Sequence, residues 1–381
     1  MAEKENSSEA PSLIPSLPED VIIDILARVS RWEYPTLSLV SKQFRSLVAS
    51  PELYAGRSLL GCTEHCLYSA LFEGETRLLH WYTLCRKANG NRILVPIRSL
   101  PTLTLSESLV AVGSKIYVFG SGIAKTSAYC IDCRSHTVEP LPSMPVPISY
   151  IMADIIDEKI YVMGCLDEFE NYVLIFFNTK THMWEPEILK PDMEVPGERH
   201  QTFCGNYVHQ CMVLADKMYL GLSPTRFSLV DDPAENIWRE DDMDIMRSIK
   251  RATACVIDDM IYYYPRYDQD DDDILVAKYI LTYDPKRRCW GVVKDLRKLF
   301  SKMKKFWCVH TVNYGGKLAF FYCKEVKNYR RGRDVESKGE TWCVEISVER
   351  RQGEEIWGKV EWCGQVLVAD SGLMNCLNVM V

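Results

Sequence analysis

A repeated strand pattern limits what this chain can fold into more than any other feature of its sequence. A strand-like block recurs as SKIYVFG (114–120), EKIYVMG (158–164), DKMYLGL (216–222), DMIYYYP (259–265) and GKLAFFY (316–322). Each follows an apolar run and a tight polar turn, as in SLVAVGSK or ADIIDEK, which is the signature of two strands joined in a hairpin. A second element follows at variable distance. YCIDCRSHTVEPLP, IFFNTKTHMWEPE, SLVDDPAENIWRE and LTYDPKRRCWGVV share a strand, an Asp or Asn, a turn, and a bulky apolar residue six positions later. The pairs are Asp132/Val138, Asn178/Trp184, Asp232/Trp238 and Asp284/Trp290. The Asp or Asn side chain is suited to bonding the turn backbone, and the aromatic starts the return strand, where it packs between neighbouring sheets. A fifth copy is looser, with an enlarged turn before Trp357.

Each unit therefore reads as a four-stranded antiparallel meander, and the first blocks lie 43 to 58 residues apart. That period and strand count predict the blades of a β-propeller. Stacked helix pairs do not fit runs that are short, β-branched and aromatic, without a 3.6-residue period. Residues 66–101 read as three strands of a further blade with Trp81 in its middle, and residues 364–381 hold a strand able to complete it and close the ring. The expectation is a mainly β propeller of about six four-stranded blades, with five or seven left open. In a meander the first-to-second and third-to-fourth turns share one end of the strands, and the other connections share the opposite end. The variable connections, among them 165–172, 194–207, 223–227, 265–273 and 324–339, fall on that second face. Exposed Arg and aromatic residues are enriched in binding hot spots, so Arg199, His200, Arg226, Phe227, Arg266, Tyr267, Tyr329 and Arg330 are the candidate target contacts.

The first sixty residues have another character. Residues 1–15 are polar and read as a disordered tail, with neither a signal nor a transit peptide. From residue 16, Val21, Ile22, Ile25, Leu26 and Val29 recur at helical spacing, with Glu19, Asp20, Asp24 and Arg28 opposite. Ser16 and Glu19 form a capping-box pattern with Pro18 in the first turn. A second apolar run follows Pro35 and is expected to stop at Ser50-Pro51, giving two or three short helices over residues 16–57. Roughly forty residues cannot bury enough surface to be stable alone. Either they pack on the β domain, residues 58–381, or a partner chain completes them.

The stretch LPEDVIIDILARVSRWEYPTLSLVSKQFRSLVASPELYAGR resembles an F-box in its opening Leu17-Pro18, its DVIIDILARV helix and its LSLVSKQFRSLVASPEL tail, departing from the family's habit at Trp32-Glu33. The repeats resemble kelch repeats, although only FGSG at 119–122 approaches the family's Gly-Gly doublet. Together they are similar to the plant F-box/kelch-repeat proteins over essentially the whole chain. The resemblance implies the substrate receptor of an SCF-type ubiquitin ligase, cytoplasmic or nuclear. It implies that Leu17, Pro18, Ile22, Ile25, Leu26, Leu39, Val40 and Phe44 dock a Skp-type adaptor and, through it, a cullin. The propeller would bind an unidentified target protein.

Neither composition nor motif points to chemistry. A formal net charge of -7 gives no footprint for nucleic acid, and no apolar run is long enough to span a membrane. Fifteen cysteines without a secretory signal indicate free thiols in a reducing compartment. Cys62, His65 and Cys66 lack a fourth metal ligand nearby, and Cys130 and Cys133 form a lone CxxC in a strand end and turn. The acidic run at 268–273 lacks the glycine spacing of a calcium loop and reads as solvated. In residues 296–306, Leu296, Leu299, Phe300, Met303 and Phe306 share one helical face, which reads as a helical insertion packed on the propeller. Residues 328–340 read as a mobile loop. No catalytic residue, metal or cofactor is expected. Two alternatives stay open: a metal-dependent oxidase on a kelch-type propeller, and a scaffold that binds the adaptor outside a ligase.

Overall fold

The computed structural model describes residues 17–73, 78–87, 89–121, 126–166, 172–189, 210–215, 217–222, 227–232, 237–240, 254–265, 279–303, 306–330, 333–351, 353–369 and 371–381. The chain divides into two compact units, Met1–Glu64 and His65–Val381.

The first unit is helical: α1 (Glu19–Arg28), a 3-10 turn (Arg31–Glu33), α2 (Tyr34–Leu37), α3 (Lys42–Leu47) and α4 (Pro51–Leu59). Helix α1 starts later than the capping-box reading, with Pro18 just ahead of it and the Pro18 carbonyl accepting bonds from the Val21 and Ile22 amides at 3.1 Å. Ser16 lies outside the described residues. The apolar run after Pro35 is two helices, because Ser41 accepts a bond from the Phe44 amide at 3.1 Å and caps a new start. Ser50-Pro51 likewise begins a helix where the sequence reading placed an end. The Ser50 hydroxyl accepts from the Leu53 amide at 3.2 Å, and Pro51 occupies a first-turn position that needs no N–H.

Among the described residues, the second unit contains six four-stranded antiparallel sheets. The first is made of His65–Glu73, Leu79–Arg86 and Arg92–Pro96, with Ser371–Met380 from the end of the chain as its innermost strand. The others are consecutive meanders, and their innermost strands are Ser108–Val112, Ser149–Ile156, Gln210–Leu214, Ala254–Ile257 and Phe306–Tyr314. Each innermost strand neighbours the next, and Phe306–Tyr314 neighbours Ser371–Met380, so the ring is closed. This is the six-bladed propeller that the repeat pattern predicts, with its first blade built from both ends of the β-rich sequence.

At three of its four positions the recurrent Asp or Asn does the work its spacing suggested, and the side chains of the fourth pair, Asp232 and Trp238, lie outside those described. Asp132 Oδ1 accepts from the Arg134 amide at 2.9 Å, Asn178 Oδ1 from Lys180 and Thr181 at 2.9 and 3.0 Å, and Asp284 Oδ1 from Lys286 and Arg287 at 3.0 and 3.2 Å. Four positions on, His136, His182 and Arg288 hold left-handed backbone at φ of 56°, 56° and 54° as the chain turns into the outer strand. Trp184 packs on Phe177 of its own blade and on Phe119 of the preceding one, at centroid separations of 5.1 and 5.8 Å. Its indole N–H donates to the Pro142 carbonyl at 2.8 Å. Trp290 instead packs on Tyr283 and Tyr263 within its own blade. Gly120, in the one kelch-like glycine stretch, has φ of 89°, and a side chain there would strike Ile151 of the next blade.

Where the ring closes, Arg92 of the first blade pairs with buried Glu345 of the last and lies 4.8 Å from the ring of Trp362. Helix α5 (Arg297–Lys302) carries buried Phe300 and is flanked by buried Leu296 and Met303, all in one cluster with Tyr264 and Phe320. It packs on the propeller as its apolar face required.

Candidate adaptor surface and target face

Helix α1 is apolar on two stripes, and only one is used within the unit. Ile22, Leu26 and Ala27 are buried. Val21 and Ile25, four residues apart and so on one line of the helix surface, are 39% and 49% exposed, and Leu17, just ahead of the helix, is 39% exposed. The turn between α2 and α3 adds Leu39 and Val40, at 77% and 58%. Phe44 is half-buried and Pro18 exposed. Ile22 and Leu26, expected on the adaptor face, thus sit inward, while Val21, absent from that expectation, sits outward. The i, i+4 spacing to Ile25 was the signal for Val21. Scattered single apolar residues are ordinary on a protein surface, but two on one line of a short helix, with Leu17 just ahead of it and Leu39 and Val40 on a following turn, make a surface built for contact.

The stripe is held on a polar hub. Arg57, 1% exposed, donates to the carbonyls of Ala27 and Val29 at 3.2 and 2.7 Å, to the Tyr34 hydroxyl at 3.0 Å and to Glu64 Oε1 at 2.9 Å. Glu64 also accepts from the Arg31 amide at 3.0 Å, and the Tyr34 hydroxyl donates to the Leu26 carbonyl at 3.1 Å. The guanidinium therefore satisfies carbonyls at the C-terminal end of α1, where a cation is favourable.

In the propeller the two ends of the strands differ. The short-turn end is laced by ion pairs: Lys115 with Glu139, Lys286 with Asp259, Arg287 with Glu354 and Arg350 with Asp284. Burial pushes the Asp284 carboxyl up, but the Arg287 and Lys286 amides and Arg350 outweigh it and hold it below the usual carboxylate range. At the opposite end, Arg199, His200, Arg226, Arg266 and Tyr267 lie outside the described residues. Phe227 opens the strand Phe227–Asp232. Tyr329 and Arg330 close the strand Lys317–Arg330, so residues 324–330 and 333–339 are strand where the sequence suggested a loop. The two strands pair as a long hairpin, from Lys324 opposite Glu340 to Arg330 opposite Arg333. The described part of this face includes Tyr150, 47% exposed, at a bulge in the strand Ser149–Ile156 and with φ of 54°. Backbone strain of this kind leaves no sequence signal.

Among the described residues, no group of three or more His, Cys, Asp or Glu side chains is placed to hold a metal ion. No described helix is long and apolar enough to cross a membrane.

Comparison with known proteins agrees with both units. The F-box domain family matches residues 14–56, and the family described as FKB95, Kelch-repeats domain, matches residues 81–367. An F-box/kelch-repeat protein of Arabidopsis thaliana is 39% identical, covering 100% of this chain and 98% of the relative. A second F-box/kelch-repeat protein of the same plant is 35% identical, covering 95% of this chain and 96% of its own length.

Proposed function

We propose that this chain, which belongs to the F-box/kelch-repeat protein family, is the substrate-receptor subunit of an SCF-type ubiquitin ligase. The first unit docks a Skp-type adaptor and, through it, a cullin, and the propeller holds a target protein for ubiquitination and proteasomal degradation. The observation that carries this reading is the exposed stripe of Leu17, Val21 and Ile25, with Leu39 and Val40, in the unit matched by the F-box family. Covering one large aliphatic side chain contributes about 1.5–3 kcal/mol, so a handful of them suffices for a stable contact.

The chain performs no bond chemistry on this reading. Holding a target on the same assembly as the ubiquitin-charged conjugating enzyme raises the effective concentration of target lysines, and rate enhancement comes from proximity. The receptor works in the cytoplasm or nucleus, where its fifteen cysteines stay reduced.

The test is co-elution of the full chain with a purified Skp-type adaptor and the adaptor-binding part of a cullin. A three-component peak, lost in Ile25→Asp/Leu39→Asp protein with an unchanged melt, is the expected outcome. Binding of the adaptor without the cullin points to a scaffold outside the ligase. Failure to bind the adaptor overturns the proposal.

A further inference from the structure

The link between α1 and the 3-10 turn is clamped from both sides. Arg57 holds the Val29 carbonyl at 2.7 Å, and the Glu64 carboxylate takes the Arg31 amide on Oε1 at 3.0 Å and the Ser30 hydroxyl on Oε2 at 3.2 Å. Arg57 and Glu64 bond each other at 2.9 Å, so one ion pair fixes three consecutive residues. Those residues join the two parts of the exposed apolar surface, Val21 and Ile25 on α1 and Leu39 and Val40 after α2. The separation of the two parts therefore depends on the clamp.

Ser30 stands apart from the other serines described in this unit. Ser38, Ser41 and Ser50 bond the backbone at Pro35, Phe44 and Leu53, and Ser46 and Ser58 lie within helices. Ser30 is exposed, bonds a carboxylate through its side chain, and shares extended, polyproline-like backbone with Val29, at ψ of 137° and 138°. A protein kinase takes an extended segment around the hydroxyl it modifies and selects that segment by its charge. Arg28, whose side chain is 58% exposed, stands two residues before Ser30, and Arg31 stands one residue after it. Cations flanking an exposed serine fit a kinase with an acidic substrate groove.

We propose that Ser30 is a phosphorylation site for a basophilic protein kinase and that its phosphate releases the adaptor. ATP is the co-reactant: Ser30 Oγ bonds the γ-phosphorus as the bond from that phosphorus to the β,γ-bridging oxygen breaks, the hydroxyl proton passes to the kinase's base, and ADP leaves. The modified oxygen has no proton left to donate to Glu64, and a phosphate of charge about −1.5 to −2 stands beside that carboxylate. Repulsion between the two opens the clamp on residues 29–31, and the two parts of the apolar surface lose their fixed separation. Release of the adaptor rests on the reading of this unit as the adaptor-docking unit, whereas the phosphate and the opened clamp do not.

The test uses the full chain, ATP and the catalytic subunit of cyclic-AMP-dependent protein kinase as the basophilic probe, with the modified residue located by tandem mass spectrometry. Ser30 should carry phosphate, hydrogen exchange around the link from α1 to α2 should quicken, and affinity for a purified Skp-type adaptor should fall about tenfold or more. Ser30→Ala protein taken through the same reaction should keep nearly the exchange and affinity of unmodified wild type, which separates Ser30 from any other modified residue. In Glu64→Gln protein the phosphate should change affinity much less, because the repelling charge is gone while the amide oxygen still accepts from Arg57. An unmodified Ser30, unchanged exchange and affinity after phosphorylation, or an equal loss in Ser30→Ala protein overturns the proposal. If unmodified wild type does not bind the adaptor, the receptor reading falls and adaptor release falls with it, while mass and exchange still decide the phosphorylation site and its clamp.

Discussion

Replacing Arg57 by alanine should unfold the helical unit while leaving the propeller intact. Arg57 is 1% exposed and donates to the backbone carbonyls of Ala27, Val29 and Cys62, a tyrosine hydroxyl and the Glu64 carboxylate. Truncation leaves the Ala27 and Val29 carbonyls without this donor, at about 1–3 kcal/mol for each group that stays dry. It also strands Glu64, and breaking a buried pair costs about 3–5 kcal/mol. Glu64 is 26% exposed and keeps the Arg31 amide at 3.0 Å, so its share lies at the low end and the total is roughly 5 kcal/mol or more. A unit of some forty ordered residues has about 2–6 kcal/mol of stability in all. Hydrogen exchange on the full chain resolves the outcome by segment. Arg57→Ala should expose the amides of residues 19–59 to rapid exchange, with the blade strands unaffected and adaptor binding lost. Arg57→Lys should recover part of the protection, since an ammonium can meet Glu64 but cannot fork to several acceptors. Wild-type protection of residues 19–59 in the alanine variant refutes the reasoning.

Other outcomes follow from the same structure. Leu26→Ala should destabilise the helical unit by about 2–5 kcal/mol, whereas Ile25→Ala one position earlier should leave its exchange nearly unchanged, because only the first is buried. Burial pushes the Asp154 carboxyl up to about 6, against bonds from the Ile155 and Val213 amides. The folded state thus holds a proton the unfolded state has released, and stability falls as pH rises through that range. Asp154→Asn removes that pH dependence at a pH-independent cost, since its amide nitrogen cannot accept from the second backbone N–H, so the variant should gain roughly 2–3 kcal/mol on wild type between pH 4 and pH 7, as urea melts at the two pH values will show. Arg288→Gly should raise stability by about 0.5–1 kcal/mol in the same melts, since the φ of 54° suits glycine. Deleting residues 371–381 removes the innermost strand of the first blade and should abolish the cooperative melt of the propeller.

The sequence carried the blades well, and for a physical reason. A turn that needs an acceptor at its corner and a bulky residue on the return strand imposes a fixed spacing, so Asp132, Asn178 and Asp284 could be placed before any coordinates. The pairing of the two ends of the propeller followed from a blade short of one strand. The adaptor surface was only partly legible. Both stripes of α1 are apolar, and helical periodicity alone does not say which faces outward, so Ile22 and Leu26 were assigned to the surface and Val21 was not. Ser50-Pro51 suits both the end of one helix and the start of the next, and the side-chain bond from Ser50 decides for the start. Residues 324–330 and 333–339 were read as a loop because their run of charged residues lacks the apolar alternation that marks a strand.

The most direct measurement is calorimetric titration of a Skp-type adaptor into the full chain at several temperatures, for wild type and for Ile25→Asp/Leu39→Asp. If the exposed stripe is completed by the adaptor, wild type binds with a negative heat-capacity change, the mark of apolar burial, and the variant loses about a hundredfold or more in affinity while melting like wild type. Wild-type affinity in the variant, or no binding by the wild type, contradicts the account.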